Sequence, residues 1–364
     1  MISVIMPSYN HQKYVGKAIE SVLTQTYQEF EFLIVDDSSF DNSAEVIRGF
    51  NDPRMRTFFA KKRMGAVGSL QFLLSMVKGD YVALLNSDDY WADTKLEEQV
   101  AYIQENPQID ICFTQALMID ANGNLIKDRV FNSADLFLQK NRSKTQWVRY
   151  FWDHGNCLCH PSILVKRECY AIPGLFNVSL RQLPDFYAWV RLVQKHSVYI
   201  IQKPLVYHRR LSGRIENTSA RSHSNSVRMK NEYAWIMNDM ITRIDDLEFI
   251  DAFSDLFVRK KAQEKMELVC ERFFLLSSRG VFDYLFRIAA MWYFFEKASN
   301  PDFILCLKEN YKYSLEDFYR FTGNLDFEDG CNLMLKGRKI YSVGINRFLY
   351  VIRCRLEAIM RRIY

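Results

Sequence analysis

The sequence lacks the features that mark membrane-spanning and low-complexity proteins. No apolar run approaches the roughly 18 residues from which a membrane-spanning helix is built. Glycine and proline are sparse, at 14 and 8 of 364 residues, and no segment is compositionally biased. The opening MISVIMPSYN has no basic leader or cleavage signal, so we interpret it as a first strand. We therefore expect a globular chain with a sizeable core.

Zinc-binding and disulfide patterns are also missing. The eight cysteines are scattered, and the closest pair, Cys157 and Cys159, has no second pair at zinc-binding spacing. Scattered thiols are typical of a reducing compartment. We therefore expect a cytoplasmic protein without a disulfide framework. A dehydrogenase is disfavoured because no GxGxxG follows the first apolar run.

Net positive charge is missing from the body of the chain and concentrated at its end. The formal net charge is +5, yet the residues from Lys336 onward carry eight basic side chains against one acidic. The preceding 335 residues therefore hold a net charge of about −2, which disfavours nucleic-acid binding. Within this end, 345–364 places apolar side chains on one helical stripe and arginines mostly off it. Such a helix fits an anionic membrane surface, here the inner face of the cell membrane, or packs on the body or on a second subunit.

Short apolar runs alternate with amphipathic stretches in the first 115 residues. Strands are predicted at 2–6, 30–35, 55–59, 80–85 and 109–114. This alternation predicts an α/β fold with a mostly parallel sheet covered by helices on both faces. Further along, we predict a hairpin at Asn122-Gly123 and a helix from Pro184 to about His196. Beyond about residue 220 only helical periodicity remains.

Paired carboxylates follow two of the predicted strands. Asp36 and Asp37 end the second strand, and Asp88 and Asp89 follow the fourth. The carboxyl ends of parallel strands meet at one edge of a sheet, where ligands bind. Oxygen-rich sites suit Mg²⁺ or Mn²⁺, which bind one or two carboxylates together with substrate phosphates. Alternatively, Asp36 and Asp37 only begin a turn.

Four segments resemble the family 2 glycosyltransferases. They read ISVIMPSYN, AIESVLTQTY, FLIVDDSSFDNS and GDYVALLNSDDYWADTKLEEQV, and their order and spacing match over the first 115 residues. A looser match continues to about residue 215. The resemblance implies an inverting enzyme with the GT-A (Rossmann-like) fold that uses a nucleotide-diphospho-sugar.

The resemblance also implies a domain organisation. Residues 1–215 would form the GT-A domain, with a nucleotide-sugar-binding half at 1–115 and an acceptor half at 116–215. Residues 216–364 would form a mainly helical C-terminal region that ends in the basic amphipathic tail 345–364.

Donor-binding positions follow residue by residue from the resemblance. The nucleoside would be held by the loop after the first strand and by the acids after the second, which here are Pro7, Tyr9, Asn10, Asp36 and Asp37. The DxD motif of the family corresponds to Asn86, Ser87 and Asp88. Its last acid coordinates the metal, so Asp88 is the expected ligand of Mn²⁺ or Mg²⁺. Asn86 replaces the first acid and lowers the charge of the site, which predicts weaker metal binding.

The catalytic base is implied by a second segment. LPDFYAWVRL resembles the helix that opens with the family's xED triplet, and this makes Asp185 the base that deprotonates the acceptor. Pro184 stands where the family usually has Glu. Alternatively, Asp185 is only a first-turn acid favoured by the helix dipole.

Further residues are assigned to the donor or acceptor side by the same comparison. Asn156 and His160 lie near the segment HPSILVKRE, where the family often places a polar residue beside the sugar. VYHRRLSG resembles a segment that contacts the diphosphate, so one of His208, Arg209 and Arg210 would face the phosphates. His208 would do so as a metal ligand, and the arginines as a cationic clamp. Asp89 matches a frequent additional acid.

Three functions are therefore weighed. The leading hypothesis is metal-dependent, inverting transfer from a UDP-sugar to a glycan or lipid-linked glycan. A nucleotidyltransferase would also place acids around magnesium, but its Gly-rich basic loop after the first strand is missing from PSYNHQKYV. The third is a catalytically inactive sugar-nucleotide- or carbohydrate-binding relative, which the altered DxD and xED segments keep open.

Overall fold

One eight-stranded sheet organises the fold. The computed structural model describes residues 1–127, 135–211, 222–278 and 283–323. The strands in chain order are β1 (Ile2–Ser8), β2 (Phe30–Asp36), β3 (Met55–Phe59), β4 (Tyr81–Leu84), β5 (Tyr90–Trp91), β6 (Ile111–Ile119), β7 (Leu164–Lys166) and β8 (Val198–Arg209). Across the sheet they lie in the order β3-β2-β1-β4-β7-β6-β8-β5. The five strands predicted in the first 115 residues are confirmed as β1, β2, β3, β4 and β6.

The first four strands form a parallel block. β1 pairs in parallel with both β2 and β4, and β2 pairs in parallel with β3. Every residue of β2 is buried, as expected for a parallel strand covered on both faces. Ser8 lies opposite Asp36, so β1 and β2 end at the same edge of the sheet. The loops that follow these strands are therefore neighbours.

The rest of the sheet is mixed. β7 is antiparallel to both β4 and β6, β5 is antiparallel to β8, and β6 is parallel to β8. The hairpin predicted at Asn122-Gly123 is confirmed: Ile119 bridges Leu125, and Gly123 has φ +90°. A positive φ of this size favours glycine, which has no Cβ. The hairpin extends the end of β6 over the same sheet edge.

Eight helices accompany the sheet in the residues described up to 254. They are α1 (Val15–Leu23), α2 (Ser43–Arg48), α3 (Gly65–Leu74), α4 (Lys95–Glu105), α5 (Lys144–His154), α6 (Pro184–Val193), α7 (His223–Arg243) and α8 (Asp246–Phe253). The buried positions of α1 include Val15, Ala18, Ile19 and Val22, which form one apolar face at helical spacing. α6 begins at Pro184 as predicted and ends three residues before His196.

The chain divides into two units, Met1–Ser254 and the residues from Asp255 onward. α7 and α8 thus pack with the first unit, although they lie beyond the boundary that the sequence places at 215. The second unit contains α9 (Lys265–Ser277), α10 (Asp283–Lys297), α11 (Pro301–Tyr311) and α12 (Leu315–Gly323). In this unit the buried ring of Phe294 stacks on the half-buried ring of Phe318, with their centroids 3.6 Å apart. The expected helical character after residue 220 is confirmed for the described part.

The tail, the cysteines and membrane-spanning helices were each the subject of a sequence-based expectation. The basic tail 345–364 lies outside the described residues. The six cysteines that the structure describes are free thiols, five of them buried. Of the helices in the described ranges, none combines the length and the apolar character needed to cross a membrane.

Candidate active site

A cleft of about 860 Å³ opens at the sheet edge where β1, β2 and β4 end. It is lined by eleven of the residues that the sequence singled out: Pro7, Tyr9, Asp37, Asn86, Ser87, Asp88, His160, Asp185, His208, Arg209 and Arg210. Asp37 and Asp88 thus share one cavity, because parallel strands deliver their following loops to one edge. The remaining four candidates, Asn10, Asp36, Asp89 and Asn156, are not among the residues that line the cleft.

Asp36 and Asn10 shape the loops behind one wall of the cleft. The Asp36 carboxylate accepts hydrogen bonds from the Ser39 backbone N–H at 3.0 Å and the Ser39 hydroxyl at 2.6 Å. Asn10, at φ 54°, accepts a hydrogen bond from the Phe40 N–H through its Oδ1. These contacts correspond to the alternative in which the acid begins a turn. Asp36 and Asn10 therefore fix the loops that carry their neighbours.

Asp37 reaches across to the loop that follows β3. Its two carboxylate oxygens accept hydrogen bonds from the backbone N–H groups of Met64, at 2.6 Å, and Gly65, at 2.8 Å. These N–H groups lie at the start of α3, where a carboxylate is favoured by the helix dipole. Since each oxygen has a further lone pair, Asp37 can still accept a hydrogen bond from a ligand.

The same loop brings a cation to the cleft that the sequence analysis did not assign. The Arg63 guanidinium carbon lies 3.9 Å from the centroid of the Tyr9 ring and covers one face of it. The rings of Phe40 and Tyr9 pack edge-to-face, with their centroids 6.2 Å apart. Arg63 belongs to a short run of basic residues, Lys61–Arg63, and the place of this run after a strand at the same sheet edge is the sequence signal for a side chain of the cleft.

The two adjacent acids after β4 have different surroundings. Asp89 is buried, and its carboxylate accepts hydrogen bonds from the Arg209 N–H at 2.6 Å and from Asn86 Nδ2 at 3.0 Å. His208 Nδ1 lies 3.1 Å from the same carboxylate. Asp89 therefore holds the loop to β8 from behind the cleft. Asn86 supplies an N–H donor that an aspartate at this position would lack.

Asp88 points its carboxylate into the cleft. Burial and the negative charge of Asp89 raise the pKa of Asp88, while His11 and His208 oppose the rise. His11 Nε2 lies 4.0 Å from the Asp88 carboxylate, and His11 Nδ1 lies 2.8 Å from the Ser87 hydroxyl. Sequence reasoning missed His11, although it directly follows the PSYN loop at the same sheet edge. A carboxylate in these surroundings favours a cation beside it.

His208 lines the cleft together with Asp88, whose charge acts on its imidazole. Burial lowers the pKa of His208, but the charges of Asp89 and Asp88 outweigh it and the pKa is raised. Because Nδ1 faces Asp89, Nε2 is the nitrogen that can bind a ligand, an arrangement common at metal-binding histidines. Among the residues described, no group of three or more His, Cys, Asp or Glu could hold an ion. One carboxylate and one imidazole fit Mg²⁺ or Mn²⁺ when phosphate oxygens complete the coordination.

The two arginines at the end of β8 differ in how accessible they are to a ligand in the cleft. Arg209 is buried, and it donates from Nε to the Asp88 carbonyl at 2.8 Å and from Nη1 to the Asp120 carbonyl at 2.8 Å. It therefore ties the loop that carries Asp88 to the β6 hairpin. Arg210 is exposed at the cleft and is the better placed of the two to meet a phosphate.

Asp185 and its neighbours form the opposite side of the cleft. Asp185 is the second residue of α6, and its Oδ2 accepts a hydrogen bond from Asn156 Nδ2 at 2.9 Å. Burial lowers the pKa of His160, whose ring packs edge-on to Trp189. His160 Nε2 is buried and finds no hydrogen-bond partner within the described part of the chain. Asn156 thus acts on the cleft through Asp185, while His160 lines it directly.

Comparison with known proteins identifies the family. The protein-family model described as "Glycosyl transferase family 2" matches residues 3–167 of this chain. An uncharacterized glycosyltransferase of Haemophilus influenzae is 36% identical over 201 residues, which cover 55% of this chain and 75% of the relative. The chain belongs to glycosyltransferase family 2. The resemblance found in the sequence is confirmed, and the protein is a transferase of the family that uses nucleotide-sugars. The comparisons do not support the nucleotidyltransferase alternative.

Two further comparisons, one of sequence and one of fold, cover different lengths of the chain. An Escherichia coli relative, UDP-Glc:alpha-D-GlcNAc-diphosphoundecaprenol beta-1,3-glucosyltransferase WfgD, is 38% identical over 106 residues, 29% of this chain and 42% of the relative. The fold is similar to that of a mannosyltransferase from Pyrobaculum calidifontis solved with GDP-Man and Mn²⁺, with a TM-score of 0.50 and 16% identity. That match covers 98% of this chain and 86% of the other. The expected GT-A fold is confirmed.

Proposed function

We propose that this family 2 enzyme transfers a sugar from a UDP-sugar to a hydroxyl of a glycan or lipid-linked glycan, with inversion and with a divalent cation. One observation carries the proposal: Asp37, Asp88 and Asp185 come from three distant segments and line one cleft of about 860 Å³. A cavity of this size accommodates a nucleotide-sugar together with part of an acceptor. UDP and a lipid-linked acceptor are suggested by the activity for which the relative WfgD is named.

The nucleoside would lie beside Pro7, Tyr9 and Asp37. The Arg63 guanidinium over one face of Tyr9 provides a flat, cationic surface on which a base or ribose can pack. Asp37 keeps a lone pair on each oxygen for a base or ribose donor. Asn10 and Asp36 would contribute by fixing these loops. We assign the first half of the GT-A domain, 1–115, to this donor side, and 116–215 to the acceptor side.

Asp185 would act as the general base. The acceptor oxygen attacks the anomeric carbon on the face opposite the diphosphate, and its proton passes to the Asp185 carboxylate. The new carbon–oxygen bond forms as the bond to the diphosphate breaks, and the nucleoside diphosphate leaves with that electron pair. The hydrogen bond from Asn156 holds Asp185 in one orientation. His160 lies on the same wall and offers a sugar hydroxyl its Nε2, which has no hydrogen-bond partner among the described residues.

The negative charge that develops on the diphosphate needs compensation. Asp88 and His208 would hold the cation, Mn²⁺ or Mg²⁺, which stabilises the charge of the leaving group when bound. Arg210, exposed at the same part of the cleft, would add a cationic contact to the phosphates. With Asn86 in place of an acid, cation binding should depend strongly on the donor diphosphate.

A panel of nucleotide-sugars tests this proposal. We expect UDP-sugars to raise the melting temperature in the presence of Mn²⁺, and EDTA to remove most of the increase, because only the folded protein binds the complex. Release of UDP with an added acceptor then measures turnover. Stronger stabilisation by GDP-mannose than by UDP-sugars would show that the base of the donor is guanine rather than uracil. Absence of stabilisation by every nucleotide-sugar would overturn the proposal.

Asn86 replaces the first acid of the DxD motif, so release of UDP is measured together with stabilisation. Stabilisation by a nucleotide-sugar without release of UDP with any acceptor would contradict the proposed transfer. For an active enzyme with a lipid-linked acceptor, we propose a cytoplasmic location at the inner face of the membrane.

A further inference from the structure

A buried carboxylate outside the cleft holds the segment that leads into α6. Glu232, on α7, is completely buried. Its Oε1 accepts a hydrogen bond from the Arg181 N–H at 2.9 Å, and its Oε2 accepts from the N–H groups of Gln182, at 2.7 Å, and Leu183, at 2.8 Å. Hydrogen bonds to a charged acceptor are about twice as strong as neutral ones. Three of them on one buried group fix this segment firmly.

The start of α6 has no side-chain cap of its own. Leu183 occupies the N-cap position and its side chain accepts no hydrogen bond, while Pro184 has no N–H to donate. Helix starts normally use Ser, Thr, Asp or Asn at this position. Glu232 satisfies the N–H groups just before α6 from another helix, and Asp185 follows two residues later. The position of Asp185 therefore depends on hydrogen bonds between residues that lie 49 to 51 positions apart in the sequence.

The neighbouring residue on α7 holds the partner of Asp185. The Tyr233 hydroxyl donates to the Phe151 carbonyl at 3.1 Å, and the Tyr233 ring stacks on Phe186 of α6 with a centroid separation of 5.8 Å. A Cβ on Gly155, which has φ +81°, would lie 3.4 Å from the Tyr233 ring. Phe151 and Gly155 lead directly to Asn156. Consecutive residues of α7 thus pack against both segments that meet in the Asn156–Asp185 hydrogen bond.

We propose that Glu232 and Tyr233 form a positioning brace: they hold the segments that carry Asp185 and Asn156, and so keep the Asp185 carboxylate where it can accept the proton of the acceptor hydroxyl. This inference rests on the proposed role of Asp185 and adds a function for α7, which lies beyond the matched family region. Displacement of a catalytic group by 1 Å can cost about 100-fold in rate. The brace therefore affects turnover without contacting the donor.

Glu232→Gln tests the brace. The glutamine keeps the volume of the side chain but offers one acceptor oxygen where three N–H groups converge, and its NH₂ faces donors. We expect kcat to fall about 10- to 100-fold, while KM for the nucleotide-sugar stays within about 2-fold because the donor residues are untouched. Amide hydrogen exchange in the peptide containing 181–183 should become faster, which is a readout independent of activity.

Glu271→Gln provides the matched control. Glu271 is also buried and accepts backbone hydrogen bonds, from Val258 at 2.8 Å and Arg259 at 2.7 Å, but it belongs to the second unit. We expect faster exchange at 258–259 and an unchanged kcat. If Glu232→Gln and Glu271→Gln lost kcat equally, the loss would reflect general destabilisation of the protein, and the proposal of a brace would be overturned.

The outcomes separate the brace from the proposed function. Loss of turnover in Asp185→Asn together with unchanged kcat in Glu232→Gln overturns the brace and leaves the base in place. Turnover that survives in Asp185→Asn overturns the base assignment and with it the catalytic role of the brace. If Glu232→Gln does not fold, Tyr233→Phe decides, since it removes only the hydroxyl: reduced kcat at constant KM supports the brace, and unchanged kcat overturns it.

Discussion

Asn86 Nδ2 donates a hydrogen bond to the buried carboxylate of Asp89 at 3.0 Å. Asn86, the residue that departs from the family's DxD pattern, therefore helps to satisfy the buried carboxylate of Asp89. An aspartate at position 86 would bring a third carboxylate next to Asp88 and Asp89, in a place where burial already raises the pKa of Asp88. The departure therefore exchanges one negative charge for a hydrogen-bond donor.

Asn86→Asp should destabilise the protein in the absence of metal. We expect the free energy of unfolding in EDTA to fall by about 1–3 kcal/mol, because the Asp89 carboxylate loses a donor and gains a like charge. Mn²⁺ with UDP should restore part of the loss. Urea denaturation measures both effects. Asn86→Ala, which removes the donor without adding charge, should cost less, and equal losses in the two variants would contradict the charge argument.

Asp185→Asn should separate catalysis from donor binding. The amide keeps the shape of the side chain but takes up no proton, so kcat should fall about 10²- to 10⁴-fold, the usual contribution of a general base. The Kd for UDP with Mn²⁺ should stay within about 2-fold. Asp153→Asn, at an exposed ion pair with Arg149, serves as the control and should keep full activity. A parallel loss of UDP binding would place Asp185 on the donor side.

Arg63→Ala should weaken donor binding without changing kcat. The guanidinium covers one face of Tyr9 at 3.9 Å, and such a contact at an exposed site is worth about 0.5–1 kcal/mol. We expect KM for the nucleotide-sugar to rise about 2- to 5-fold. Lys61→Ala removes an equal charge from the same loop and should have a smaller effect. Identical changes in KM would show that charge alone, rather than stacking on Tyr9, is responsible.

Lys95 should make stability depend on pH. The side chain is fully buried, with its Nζ 2.7 Å from Gln99 Oε1 and 3.9 Å from the centroid of the Trp91 ring. Burial lowers the pKa of Lys95 to about 7, from 10.5 in an unfolded chain. Between these values the unfolded state binds more protons, so this group makes the free energy of unfolding rise with pH from about 7 to about 10.5.

Lys95→Met should flatten this rise, which amounts to a few kcal/mol over the whole interval. Denaturation midpoints at pH 7, 8 and 9 would measure the slope. Lys13→Met is the matched control, because Lys13 is exposed and its removal should leave the slope unchanged. An unchanged slope in Lys95→Met would show that the buried amine stays charged in the folded protein.

Much of the donor side could be predicted because it follows from local pattern. Apolar runs at 2–6, 30–35 and 80–85 identify strands, and acids at their carboxyl ends must gather at one sheet edge when the strands are parallel. Asp37 and Asp88 are therefore predicted to lie together, and both line the cleft. Strand position alone does not distinguish Asp88 from the adjacent Asp89, whereas the family resemblance selects Asp88 as the metal ligand; in the structure the two acids differ in what packs against them.

The sequence by itself thus determined the α/β class, the family and the edge at which the acids meet, since strand periodicity and motif spacing are properties of neighbouring residues. The tertiary structure decided which acid faces the cleft, because the Asp89 carboxylate is hydrogen-bonded to His208 and Arg209, about 120 residues further along the chain. It also decided the packing of α7 beside α6, through Glu232. Contacts over such separations depend on how the whole chain folds back, and no short segment encodes them.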